Sequence, residues 1–451
     1  MSAPRGEFSS RLGFIMAAAG SAVGLGNIWG FPTQTASNGG AAFLLVYLVL
    51  AFCLAYPALM AELVIGRYAK ANSVTALRKV AGDGPLASLG ALTGYTGILT
   101  ASLILSFYGI VAGWMLAYTI APLSTAAGAA GVTEWVTAFS IERNLAFTAI
   151  FMLLTIAIIL GGVADGIERW CVRLMPSMLA LLGLLIVYVL FQDGAREGVR
   201  AYLVPDVARV TDPQLVISAM GQAFFSMSLG VGTMLIYGSY VSDRENLVSL
   251  GRSVTLVDIG IAFTAGLLII PAMYVAEYNG VAIYDAAGKL IAEDTLIFTV
   301  LPALFDTMGG AGTFVGFAFF VLMSIAALTS SISMLEVPVA FAVEHLDMSR
   351  RNATFLVGGA ILLMSVVLIF NFGSLFGLVI AISTRYSQPL LGLLMCVFAG
   401  WVLHRNALID QITRHDPKAV SGAFATIWPG YVRFDAAPSP QTHTSRGPAA
   451  A

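Results

Sequence analysis

The chain has 451 residues, of which 58% are hydrophobic and 11% charged, with a formal net charge of −2 and a mean hydropathy of +0.86. Such a composition excludes a soluble globular protein, and the charge balance offers no basic block for nucleic acid, so the chain reads as a polytopic helical membrane protein. Cys53, Cys171 and Cys396 are scattered, and His345, His404, His415 and His443 never cluster. Neither a disulfide framework nor a zinc site is supported, and no nucleophile–base pair points to an enzyme. The N-terminus enters the first apolar run without a cleavage site, so no cleaved signal peptide is expected.

In chain order, apolar runs predict spans over residues 12–36, 41–69, 86–120, 144–161, 168–192, 214–241, 250–277, 311–344, 352–371 and 374–403, ten in all. The first cannot be one regular helix. Its stretch Ala17–Pro32, AAAGSAVGLGNIWGFP, carries Gly20, Gly24, Gly26 and Gly30, with Asn27 and Pro32. Within a membrane, loosened backbone is tolerated only where it is buried or lines a cavity. An unwound turn there offers carbonyls to a cation and amide N–H groups to an anion, whereas a small-residue packing face is the plainer reading. The sixth span repeats the feature, Ser228–Thr233 (SLGVGT) answering Ala22–Asn27 (AVGLGN). Corresponding interruptions in two halves of a membrane chain point to a transporter site near the bilayer midplane.

Five spans precede the second interruption, so the second half enters the membrane from the opposite side. The expected architecture is all-α, a 5+5 inverted repeat with broken helices one and six. Its expected parts are a cytoplasmic N-terminus (1–11), a first five-helix repeat (12–192), an external loop (193–213), a second repeat (214–403) and a cytoplasmic tail (404–451) with a disordered end. A cytoplasmic N-terminus puts Arg5, Arg11, Arg67, Lys70, Arg78, Lys79, Arg169, Arg173, Arg244, Arg252, Arg350, Arg351, Arg405, Arg414, Lys418, Arg433 and Arg446 inside. It leaves Arg143, Arg196, Arg200, Arg209 and Lys289 outside, as the positive-inside rule asks. The outer loop between Tyr278 and Gly310 is expected to carry a re-entrant or surface helix at Glu293–Phe305, a candidate external lid.

The stretches RLGFIMAAAGSAVGLGNIWGFP, GGAAFLLVYL, ELVIGRY, GIERWCVRLMP, GQAFFSMSLGVG and ALTSSISMLE, in this order, resemble the signature segments of the neurotransmitter:sodium symporter family, in its bacterial amino-acid transporter branch. The resemblance implies Na⁺ as coupled ion at two sites. One lies between spans one and eight, built from the carbonyls of Gly20, Val23 and Ala326 and the hydroxyls of Thr329 and Ser330. Hydroxyls in such a run otherwise bond back to their own helix. The other, beside the substrate, is implied to use the Ala22 carbonyl, the Asn27 side chain, Ser226 and a residue of span seven. Alignment on Gly266 makes that residue Asp258, and alignment on Pro271 would make it Val257; Asp258 is preferred, because an intramembrane acid is a functional candidate by default.

The implied substrate is an amino acid. Its carboxylate would meet the amides near Leu25 and Gly26 and the Tyr108 hydroxyl, and its ammonium the carbonyls of Ala22, Phe225 and Ser226. Ile104, Tyr108, Phe225, Ser228, Val231, Ser330 and Met334 would line the side-chain pocket. That lining holds no acid or base, which favours a neutral, hydrophobic or aromatic substrate. Tyr47, Gln222 and Ser226 fit part of the chloride site of animal relatives, but Asp258 and Glu62 offer fixed negative charge, so chloride is not expected to be needed. Glu62 has a plainer reading as a partner for Arg67 or for helix ends.

The chain departs from the family pattern on the outside. Gly30 stands where Arg is usual, and no acid occurs between Asn371 and Thr384 in span ten. Losing both members of a gate pair is coherent, since losing one would leave a lone buried charge. Phe225 and Tyr108, or Arg385, are left to close the outer gate. The inner gate is implied to use Arg5 with Glu344, supported by Ser239 and Tyr240, with Phe8 in place of a common Trp. Ile427–Phe434, IWPGYVRF, resembles the lead-in to an eleventh span, but no apolar run follows. The expectation is sodium-coupled symport of a neutral amino acid across the cytoplasmic (inner) membrane by alternating access. The alternative at this point is a sodium-dependent amino-acid sensor that binds without cycling.

Overall fold

A computed structural model of the chain describes residues 6–283, 290, 296–414 and 423–433. Among the described residues, eight continuous helices are long and apolar enough to cross a membrane, and the bent pair Arg11–Ala22 and Gly26–Ser37, meeting at 54°, makes a ninth crossing. The sixth predicted span is divided into Pro213–Ser226 and Thr233–Ser239. All ten predicted spans are therefore helical, and the two Gly-rich ones are the two that break.

Boundaries move where polar side chains keep the helical backbone satisfied. Span three runs from Pro85 to Ala126, past its expected end and through Pro122. Around that proline the hydroxyls of Thr119, Ser124 and Thr125 return to carbonyls one turn back. The loop expected at 193–213 contains the helix Ala195–Leu203, whose Tyr202 is buried and donates to the Phe263 carbonyl at 2.9 Å. A second short helix, Ser73–Ala81, follows span two and is capped by Asn72, which accepts from Thr75 N at 3.1 Å. The expected lid helix runs Leu296–Thr307; its predicted start at Glu293 lies outside the described residues.

Part of the expected tail is ordered against the bundle. The helix Ala423–Arg433 lies against span two: Trp428 Nε1 donates to the Pro57 carbonyl at 3.3 Å, and the Tyr431 hydroxyl to that of Cys53 at 2.7 Å. The expected disordered end falls outside the described residues.

Spans three and eight share the most extensive helix–helix interface, and the first half of span one lies against spans five, seven and eight. The second half of span six crosses span two nearly backbone to backbone. A Cβ on Gly66 would stand 2.0 Å from the Leu235 carbonyl oxygen, and one on Gly238 would stand 2.7 Å from that of Leu63. Small residues at such crossings supply the close packing that lipid cannot drive by hydrophobicity. The two broken helices also touch one another.

Candidate functional site

The two interruptions share a motif and break for different physical reasons. In span one Val23 leaves the helical region (φ −77°, ψ 98°), while Gly24 and Gly26 are needed for room. A Cβ on Gly24 would lie 2.3 Å from Ser330 Oγ and 2.8 Å from the Tyr108 hydroxyl. In span six the chain itself is turned, with positive φ at Ser228 (52°), Gly230 (83°) and Gly232 (81°), a conformation that favours glycine. Glu62 receives the amides this exposes, Gly230 N at 2.6 Å and Leu235 N at 3.3 Å. Of its two plainer readings, the helix end is the one seen; Arg67 bonds instead to Gln411 Oε1 at 3.0 Å and the Glu245 carbonyl at 2.7 Å.

Beside these breaks lies a buried polar cluster. Asn27 Nδ2 donates to Asp258 Oδ1 at 2.7 Å, Ser226 Oγ donates to Asp258 Oδ2 at 2.9 Å, and the Tyr47 hydroxyl stands 3.4 Å from Ser226 Oγ. All four residues are fully buried, whereas Val257 is only half-buried. The groups around the carboxylate are neutral oxygens and an amide. The carboxylate, amide and hydroxyl oxygens here are hard donors suited to a small cation, and Ala22, the last residue of its helix, stands where helix carbonyls lose their intrahelical partners.

Spans one and eight touch at Gly20, where a Cβ would sit 3.1 Å from Thr329 Cβ. Ser330 Oγ crosses to the carbonyls of Gly20 and Ser21 at 3.2 and 3.1 Å. Thr329 Oγ1 returns to Ala326 O at 3.0 Å and Ser331 Oγ to Leu328 O at 2.8 Å. The hydroxyl run is therefore mixed, one reaching span one and two bonding back. Val23 lies one residue past the helix end.

Between the clusters is a cavity lined by Ala22, Leu25, Gly26, Ile104, Tyr108, Phe225, Ser228, Val231, Ser330 and Met334, with Gly24 and Gln388 completing the wall. Of the residues expected to contact substrate, only Ser226 is absent from the lining; it sits in the Asp258 cluster behind. Tyr108 holds the unwound turn, its hydroxyl accepting from Leu25 N at 3.3 Å. Gln388 went unforeseen because the resemblance assigns no pocket residue to span ten.

Outward of Tyr108 and Phe225 opens a vestibule bordered by Trp29, Gly30, Thr33, Gln34, Phe107 and Val111. Arg385 lines neither cavity; it lies on the exposed face of span ten with Ile382 and Tyr386. A Cβ on Gly30 would face Gln222 Oε1 at 3.3 Å, and aromatic rings gather at the neighbouring Trp29. Phe298, on the helix Leu296–Thr307, has its ring centroid 6.1 Å from Trp29, 5.6 Å from Trp114 and 5.0 Å from Tyr118.

On the inner side, Phe8 is packed among Phe14, Tyr237 and Tyr240, and its amide donates to the Tyr240 carbonyl at 3.1 Å. Arg5 lies outside the described residues. Glu344 accepts from Asn72 N at 2.7 Å and Nδ2 at 3.1 Å, and Ser239 Oγ donates to the Ile236 carbonyl. The Tyr240 hydroxyl goes to Glu336 Oε1 at 2.7 Å, and Arg350 Nη2 meets Glu336 Oε2 at 2.6 Å. Glu168 accepts from Ser9 N, Ser9 Oγ and Ser10 Oγ at 2.7, 2.7 and 2.8 Å. Sequence reasoning missed both acids, although each stands inside a quoted motif and a carboxylate in an apolar helix is signal enough.

A sequence profile of the sodium:neurotransmitter symporter family matches residues 5–144 and 129–428. YhdH of Bacillus subtilis (strain 168), a sodium-dependent transporter, is 36% identical over 374 residues, covering 82% of this chain and 79% of its own. A sodium-dependent transporter of Haemophilus influenzae is 31% identical over 456 residues, covering 95% of each chain. A sodium- and chloride-dependent taurine transporter of Bos taurus is more distant, 26% identical over 77% of this chain and 62% of its own. The crystal structure of MhsT in complex with L-phenylalanine aligns with a TM-score of 0.81 at 36% identity, covering 95% of this chain and 97% of that one.

Proposed function

Because the chain belongs to the sodium:neurotransmitter symporter family, and is thus a multi-pass, sodium-dependent transporter, we propose that it carries a neutral, hydrophobic or aromatic amino acid with Na⁺ across the cytoplasmic membrane by alternating access. The observation that carries this reading is the adjacency of the buried Asn27–Ser226–Asp258 cluster to a mostly apolar cavity that shares the same break in span one. The likeness to MhsT, whose structure contains L-phenylalanine, supports the substrate class.

In this reading the substrate carboxylate sits against the amides of Leu25 and Gly26 and takes the Tyr108 hydroxyl as donor, while the ammonium meets the carbonyls of Ala22, Phe225 and Ser226. One Na⁺ lies between that carboxylate and the oxygens of Ala22, Asn27, Ser226 and Asp258. Each charge lowers the cost of bringing the other out of water, so sodium and substrate raise one another's affinity, and linkage makes the effect equal in both directions. A second Na⁺, between Gly20, Val23, Ala326, Thr329 and Ser330, would tie span one to span eight. The 5+5 inverted repeat supplies the rocking motion, with Phe225, Tyr108 and the Phe298 aromatic cover outside, and Arg5, Glu344, Ser239 and Tyr240 inside. Asp258 beside Tyr47 and Ser226 provides the negative charge that chloride would bring, so transport is chloride-independent here.

Binding of a panel of amino acids to the purified protein, with Na⁺ and with K⁺ in its place, tests the reading. Sodium-dependent binding of neutral amino acids is expected; binding indifferent to the cation would overturn the shared carboxylate–sodium site.

A further inference from the structure

Four polar side chains line the substrate cavity: Tyr108, Ser228, Ser330 and Gln388. Three are held by the protein itself. The Tyr108 hydroxyl accepts from Leu25 N, Ser228 Oγ donates to the Ser21 carbonyl at 2.9 Å, and Ser330 Oγ donates to Gly20 and Ser21. Gln388 differs. It is 3% exposed, and its Oε1 is buried without a hydrogen-bond partner among the described residues. Leaving a buried carboxamide oxygen unpaired carries a desolvation cost that a partner in the cavity would recover.

The backbone explains how span ten reaches the pocket. Gln388 begins the helix Gln388–Val397 directly after the π-helical stretch Ala381–Ser387. Its carbonyl oxygen would stand 2.1 Å from a Cβ on Gly230, in the turned segment of span six. Only glycine at 230 permits that approach. Val231, next along, lines the same cavity.

We propose that Gln388 is a specificity-determining residue that reads the tip of the substrate's side chain, selecting neutral amino acids that end in a hydrogen-bond donor, such as tyrosine or tryptophan, over purely apolar ones of the same shape. The proposal rests on the amino-acid reading above and narrows it. The other side chains of the lining are apolar or already bonded, so the recognised side chain is apolar along its body and polar at its end. Rotated about its terminal bond, the carboxamide presents Nε2 instead, and a hydroxyl satisfies either orientation. A site that pairs a substrate hydroxyl discriminates against the analogue lacking it, because the analogue leaves the protein group unpaired.

The test is sodium-dependent binding of matched pairs, tyrosine against phenylalanine and threonine against valine, to the full-length wild-type protein and to Gln388→Leu and Gln388→Met. The wild type is expected to favour the hydroxylated member of at least one pair by about tenfold or more. Both variants are expected to lose that preference or reverse it. Sodium-dependent binding with equal affinity for both members of each pair in the wild type would overturn the role of Gln388 and leave the transport reading standing. So would a wild-type preference that the variants keep. No sodium-dependent amino-acid binding in the wild type would overturn both.

Discussion

Asn27 and Asp258 join spans one and seven through a 2.7 Å hydrogen bond between two fully buried side chains, directly behind the unwound turn that borders the cavity. Ser226 ties span six to the same carboxylate. Three spans are therefore fastened at one acidic group, and whatever neutralises that group acts on all three.

Asp258→Asn keeps the shape of this junction and removes its charge. The expected outcome is a rise of roughly tenfold to hundredfold in the sodium concentration needed for half-maximal substrate binding, the size of a lost charge-assisted contact. Titrating sodium at fixed substrate checks it, and an unmoved midpoint would remove Asp258 from the ion site.

The hydroxyl run of span eight separates ligation from back-bonding. Ser330→Ala, at the position that already crosses to span one, should weaken sodium dependence, and so should Thr329→Val. Ser331→Ala should leave the sodium midpoint in place, because its hydroxyl bonds to Leu328 O and Thr155. Equal sodium titrations for Thr329→Val and wild type would mean that Thr329 merely serves its own helix.

Two glycines should fail in different ways. Gly230→Ala forces a side chain onto a φ of 83° and against the Gln388 carbonyl, so loss of folded, monodisperse protein in detergent is expected, with a cost above about 1 kcal/mol. Gly24→Ala meets the Ser330 and Tyr108 hydroxyls, which can swing aside, and Ser330 Cβ at 3.1 Å, which needs span eight to give by only a few tenths of an ångström. The fold is expected to survive while substrate binding is lost.

Glu336 is fully buried, and Arg350, 27% exposed, reaches it from the start of span nine. Arg350→Met leaves the buried carboxylate with the Tyr240 hydroxyl but without its cation and should destabilise the protein by roughly 3–5 kcal/mol. Adding Glu336→Gln should recover most of that loss. Thermal unfolding of the two variants in detergent compares them directly.

Replacing chloride by gluconate at constant sodium should leave uptake unchanged. A dependence on chloride would show that Asp258 does not stand in for the anion beside Tyr47 and Ser226.

The broken helices were legible in the sequence because paired glycines loosen an apolar run that lipid otherwise forces to stay regularly helical. Their separate causes were not: the glycines of span one make room for Ser330 and Tyr108, while those of span six set φ. That difference lies in tertiary packing, which no local pattern carries. The pocket was readable from spans one, three, six and eight by resemblance. Gln388 was not, since its approach depends on a π-helical stretch and on Gly230 of a distant segment. Glu336 and Glu168 were readable in principle as acids in apolar helices. Their partners Arg350, Tyr240, Ser9 and Ser10 come together only in the folded chain. The helix Ala195–Leu203 escaped notice because nine residues with a charged face do not form a span-like run.

The most direct test of the account is uptake of a radiolabelled neutral amino acid into proteoliposomes containing the purified protein, under an inward sodium gradient. The account predicts accumulation above the external concentration, collapsing when the gradient is dissipated or sodium is replaced by potassium, and weakened at limiting sodium in Asp258→Asn. Sodium-dependent binding without any accumulation would contradict it, leaving a protein that senses the amino acid and does not carry it.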